Sequence, residues 1–143
     1  MHAFAQHGLS RSCEVLAGRA DFTELNARGP WGNTALHWAA RNGHADVCEV
    51  ILGLEGFTAM NDQNLYGWTA LHYMAAVGLH RVCAAILKHP SFQAAAEVTN
   101  NGETALHWAA LNGREDICRL LIRDGRIDVG AADVEGMLAI DGA

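Results

Sequence analysis

No apolar run among the 143 residues approaches the roughly 18 that a bilayer-spanning helix needs. The first residues, Met1 to His7, also lack the basic segment and unbroken apolar stretch of a secretory signal. Basic residues are in the minority, ten against sixteen acidic, for a formal net charge of -6. A chain so charged has no broad cationic field for phosphate backbones or anionic lipid. With 50% apolar and 18% charged residues the balance is that of one globular domain, neither a disordered tail nor a membrane protein. The expectation is a cytoplasmic or nuclear monomer that engages neither nucleic acid nor membrane.

Catalytic signatures are equally sparse. No two of the 15 glycines stand two positions apart, so a G-x-G-x-x-G loop cannot be formed, and the G-x-x-x-x-G-K-[ST] phosphate cradle is missing. Only Ser10, Ser12 and Ser91 carry a serine hydroxyl, and none sits in a G-x-S-x-G elbow. No Cys-x-x-Cys pair suggests zinc. The expectation is therefore no enzyme, no metal and no cofactor.

Repetition is what the sequence has in abundance. Thr34 to Ala40 recurs identically as Thr104 to Ala110, with the variant Thr69-Ala70-Leu71-His72-Tyr73-Met74-Ala75 midway, a period of 35. Phe22, Phe57, Phe92 and Ile127 keep the same spacing, as do Gly32, Gly67 and Gly102, and Gly43, Gly78 and Gly113. A fourth unit drops one residue, which sets Gly136, Ala139 and Ile140 one position early. The units run over about 22–56, 57–91 and 92–126, with partial copies in 1–21 and 127–143.

Each unit reads as two short helices. Thr34 is a good N-cap residue, Leu36, Ala39 and Ala40 follow at helical spacing, and Asn42-Gly43 ends the segment. Val47, Cys48, Val50, Ile51 and Leu52 form a second segment whose apolar surface is wide enough to need neighbours on both sides. Helices this short are marginal alone, so each pair must bury its faces against the next pair. Stretches such as Asn61 to Gly67 carry the residues of turns and project from one edge.

The block Gly-x-Thr-Ala-Leu-His-x-Ala, then a glycine and an apolar second helix, resembles the ankyrin repeat and its T-P-L-H-x-A signature. The resemblance is close over residues 22 to 122 and weaker beyond them. Ala35, Ala70 and Ala105 stand where that signature has proline, which leaves a good helix former at the first helical position. The implied fold is an all-α repeat, an α-solenoid of stacked helix-turn-helix units joined by short β-hairpin-like loops. It also implies that His37, His72 and His107 each bond to the Thr three residues earlier and to the adjoining loop backbone.

Periodicity decides how the cysteines and histidines are read. Cys13, Cys48, Cys83 and Cys118 share one register, so neighbours should lie about one helix-packing distance apart, roughly 8 to 10 Å, beyond the roughly 7 Å Cα separation a disulfide allows. Such residues are distributed along a stack and cannot converge on one ligand or one nucleophile. His7, His44, His80 and His89 fall in or beside turns and are expected to be solvated.

The resemblance implies a non-catalytic scaffold that binds a partner protein through a concave surface and its loop tips, or a regulatory ankyrin segment of a larger protein or enzyme. The family positions transfer here to Trp31, Asn33, Leu65, Tyr66, Trp68, Ala76, Val77, Asn101, Glu103 and Leu111. The middle unit stands out, because positions expected to face water carry Leu65, Tyr66, Trp68, Ala76 and Val77. An exposed apolar patch with Trp and Tyr is a candidate hot spot. Alternatively, Trp68 staples onto Tyr73 and Tyr66 packs on a neighbouring loop. Trp38, Tyr73 and Trp108 repeat in phase and are assigned to packing between units, while Glu14, Glu49, Ala84 and Arg119 form an outer, solubilising row. The truncated last unit suggests a fragment of a longer array and leaves Leu120 and Leu121 with thin cover.

Overall fold

The computed structural model describes residues 28–54 and 57–127, which hold six α-helices and no strand. The helices come in pairs: α1 (Ala35–Arg41) and α2 (Ala45–Leu52), α3 (Ala70–Val77) and α4 (His80–Lys88), α5 (Ala105–Leu111) and α6 (Glu115–Asp124). First helices pack on first helices and second on second, so α1, α3 and α5 form one layer and α2, α4 and α6 the other. The partial copies expected in 1–21 and, past Ile127, in 127–143 lie outside the described residues, as do His7, Cys13 and Phe22.

Local chemistry explains each pair. Thr34, Thr69 and Thr104 are the N-caps of the first helices, and each hydroxyl accepts the N–H of the His three residues on. The imidazole answers by accepting the Thr N–H at Nδ1, at 3.0, 2.9 and 3.0 Å. This is a capping box with His in the position usually held by Glu. At the other end, the residue after each turn glycine donates its N–H five residues back, His44 to Ala39, Leu79 to Met74 and Arg114 to Ala109. Those bonds satisfy carbonyls that a helix terminus would orphan, and they reverse the chain into the second helix.

The core is a set of rows in the 35-residue register. Leu36, Leu71 and Leu106 are buried in the first helices, Val47, Val82 and Ile117 in the second, and Phe57, Phe92 and Ile127 where the chain leaves a second helix. Burying each such side chain is worth about 1.5–3 kcal/mol, so most of the stability comes from interfaces between units, not from single helices. Leu121 is fully buried and Leu120 partly so. That corrects the expectation of thin cover for Leu121, which holds the inward register of Ile51 and Ile86, while Ile122 faces solvent.

The thiols of Cys48 and Cys83 are free, fully buried, and pushed up to about 12 by burial. Inert, uncharged packing groups are the result. Cys48→Ser places a hydroxyl without a partner in that environment and should cost roughly 1 to 3 kcal/mol, read as a lowered denaturation midpoint at unchanged slope. An unchanged midpoint would mean the site is accessible to water.

Candidate partner-binding surface

Between the pairs, three loops project in register, and each is closed by the same two bonds. In the middle one the Asn64 N–H donates to Trp68 O at 2.9 Å and the Gly67 N–H to Asn64 O at 3.0 Å. Gly29 with Asn33 and Gly32, and Thr99 with Glu103 and Gly102, repeat the pattern. With so few paired groups each loop is a closed finger. These are the short β-hairpin-like loops implied by the resemblance, with too few paired groups to form strands among the described residues.

Adjacent fingers are laced together. The Leu65 N–H donates to Trp31 O at 2.9 Å, the Asn100 N–H to Tyr66 O at 3.0 Å, and Asn100 Nδ2 to Leu65 O at 2.9 Å. Arg28 reaches Gln63 O, and Gln63 Nε2 reaches Val98 O, one register later. The first helices are tied to the next finger by imidazoles: His37 Nε2 lies 2.9 Å from Trp68 O and His72 Nε2 lies 3.0 Å from Glu103 O. Because Nδ1 accepts the Thr N–H, the proton sits on Nε2 and is donated to the finger.

On this frame the side chains nominated from the sequence separate into two groups. Trp31, Leu65, Tyr66 and Leu111 are 55, 69, 52 and 58% exposed, and Asn101 is exposed as well. Trp31 and Tyr66 occupy the same register on adjacent fingers, their ring centroids 6.0 Å apart. Ala76, Val77 and Glu103 are half-buried.

Two nominated residues are corrected from water-facing positions to supports. Asn33 is only 2% exposed, and its Oδ1 accepts Asn64 Nδ2 at 2.9 Å. Trp68 is half-buried in a stack, with centroids 4.6 Å from Tyr73 and 4.5 Å from Trp108. It precedes the N-cap Thr69 and meets the ring four residues beyond that cap, which is a hydrophobic staple, so burying its large apolar face sets the entry angle of α3.

Three residues important to the frame were not anticipated. Asn64 is buried and fully used: its Oδ1 accepts the Tyr66 and Trp68 N–H groups, and its Nδ2 donates to Asn33 and to the Tyr73 hydroxyl. The signal available in the sequence was the preference of Asn for the first position of a turn. His89, expected to be solvated, is half-buried; its Nδ1 accepts the Ser91 N–H and its Nε2 lies 3.2 Å from Leu52 O. Arg126 performs the same task one unit later, donating to Leu87 O at 2.7 Å. Both place a donor on the C-terminal carbonyls of the preceding second helix, where positive potential is favoured.

Trp31 adds a strained element. Its φ of 63° lies in the left-handed region, and it is the only non-glycine residue there among those described. The turn from Gly29 to Gly32 has Pro30 second and Trp31 third, a third position that type II turns reserve for glycine or asparagine. Holding a bulky residue so costs about 1–2 kcal/mol.

No group of three or more His, Cys, Asp or Glu side chains among the described residues is placed to hold a metal, and no described helix is long and apolar enough to cross a membrane. The family model "Ankyrin repeats (3 copies)" matches residues 1–89 and, in an overlapping placement, 54–133. No curated protein matches the chain. Ankyrin repeats generally mediate protein-protein interaction and are typically non-catalytic. With a matching family model over most of its length, and with its capping boxes, laced fingers and two helical layers, this chain belongs to the ankyrin repeat family.

Proposed function

We propose that the chain is a non-catalytic scaffold that docks a partner protein on its finger tips and on the adjoining free sides of the first helices. Trp31, Leu65, Tyr66, Asn101 and Leu111 form the contact surface, flanked by Ala76, Val77 and Glu103, while Asn33 and Trp68 hold it from beneath. The observation that carries this reading is the exposed Trp31–Tyr66 pair, whose tryptophan occupies a backbone position that glycine would fill without strain. Strain retained at an exposed aromatic supports a binding role, since folding alone would be better served by another residue. The reading places the protein in the cytoplasm or nucleus, as a monomer with reduced thiols.

The test pairs affinity with stability. A partner isolated on the native chain is purified and titrated against Trp31→Asn, Tyr66→Ala and the double variant. Asparagine tolerates the left-handed region, so Trp31→Asn should leave the melting temperature unchanged or raise it. Affinity in the double variant should fall more than tenfold, the loss typical of aromatic hot spots. Retained affinity would remove the tips from the interface.

A further inference from the structure

The outer layer carries two grooves related by the repeat, one between α2 and α4 and one between α4 and α6. Arg81 closes the first: from α4 it reaches across to Asp46, at 3.0 Å, and to Glu49 of α2. One register later the partners change. Asp116 stands in the place of Arg81, Ala84 in the place of Glu49, and Asp116 turns along its own helix to Arg119, at 3.8 Å. No ion pair crosses the second groove among the described residues. The small Ala84 leaves a recess of about 460 Å³, floored by Ala84 and Leu120 and walled by Lys88, Arg119 and Arg123, with His80 and Asp116 also lining it.

Three cations and one carboxylate, Asp116, line this recess in a chain of net charge -6; Arg119 is held on its own helix by Asp116 and by Glu115, at 3.9 Å. Lys88 and Arg123 occupy the last turns of α4 and α6, which suits the helix dipole, yet no carboxylate among the described residues pairs with either. Arg119 and Arg123 are one helical turn apart, a rise of about 5.4 Å, with Lys88 across the groove at the register of Arg123. Guanidinium groups at that spacing match successive carboxylates, and the apolar floor takes an aliphatic stem between them.

We propose that this groove receives an acidic peptide segment of a partner protein, independently of the finger tips. Its carboxylates pair with Lys88 and Arg123, the two cations of the recess that no ion pair occupies among the described residues, beside the already paired Arg119, and complete the crossing that Arg81 supplies in the first groove.

The test is fluorescence anisotropy of a short labelled peptide of Asp, Glu and Gly with the full chain, at low and at physiological salt. Saturable binding is expected, weaker at the higher salt because the cations are exposed. The Lys88→Ala/Arg123→Ala variant should weaken it at least tenfold at unchanged melting temperature, and Arg81→Ala, in the other groove, should leave it unaltered. Absence of saturable binding at low salt would overturn the proposal, as would binding that the double variant does not move. Equal competition by an RNA oligomer or by anionic phosphatidylserine vesicles at matched charge would also overturn it, by showing an unspecific polyanion surface.

Discussion

Gly67→Ala should destabilise the protein by roughly 3 kcal/mol, far more than the same change at Gly113. Both glycines have positive φ, 79° and 69°, where a Cβ costs about 1–2 kcal/mol. The difference lies in what the methyl meets. At Gly113 there is nothing within 4 Å, whereas at Gly67 it would stand 2.7 Å from both the Asn100 backbone nitrogen and its Oδ1. That nitrogen donates to Tyr66 O, one of the bonds that lace the second finger to the third. The methyl therefore adds a lost hydrogen bond, about 1 kcal/mol, and a forced displacement of backbone that cannot rotate away. Chemical denaturation of both variants checks the contrast, and equal losses would show that the fingers are not in the contact described.

Acid should weaken the fold over a defined window. The imidazole of His72 is held down at about 4 by burial, which outweighs the Glu103 and Glu97 carbonyls that favour its charged form. The neighbouring His37 and His107 act in the same direction as the burial. In the unfolded chain the group titrates near 6.5. Above that pH neither state carries the proton and stability is full. Between 6.5 and 4 the unfolded state takes up a proton that the folded state refuses, so stability falls as pH drops, by roughly 3 kcal/mol at the lower end. Denaturation midpoints measured down that range should slope accordingly, and a flat profile between pH 6.5 and 4.5 would contradict the burial of this group. Asp124, whose carboxyl Arg126 holds below its ordinary range, acts only at still lower pH and does not mask the effect.

What the sequence disclosed and what it hid follow from the same physics. A residue repeated every 35 positions lands in the same place in each unit, so the Thr34–His37 box, the buried leucines and the inert thiols could be read from one copy and checked in the next. Residues without a copy carry no such signal. His89 and Arg126 serve equivalent carbonyls, Leu52 O and Leu87 O, from different registers and with different chemistry, so no alignment of the units reveals them. Asn33 and Asn64 were equally opaque, since Asn is ordinarily a solvated turn residue and only the approach of two fingers turns this pair inward. For Trp68, a staple on Tyr73 and an exposed anchor were both compatible with the letters. The side is chosen by the Trp108 ring, 35 residues beyond Tyr73, which covers its other flank.

The protonation and tautomer of His37 and His72 probe the stacking most directly, because their Nε2 atoms join each unit to the next. Long-range proton–nitrogen correlation on imidazole-labelled protein at neutral pH should show the hydrogen on Nε2 of both rings, and His72 still neutral at pH 5. Hydrogens found on Nδ1, or a His72 ring titrating near 6.5, would mean that the imidazoles face water and that the units do not lie side by side.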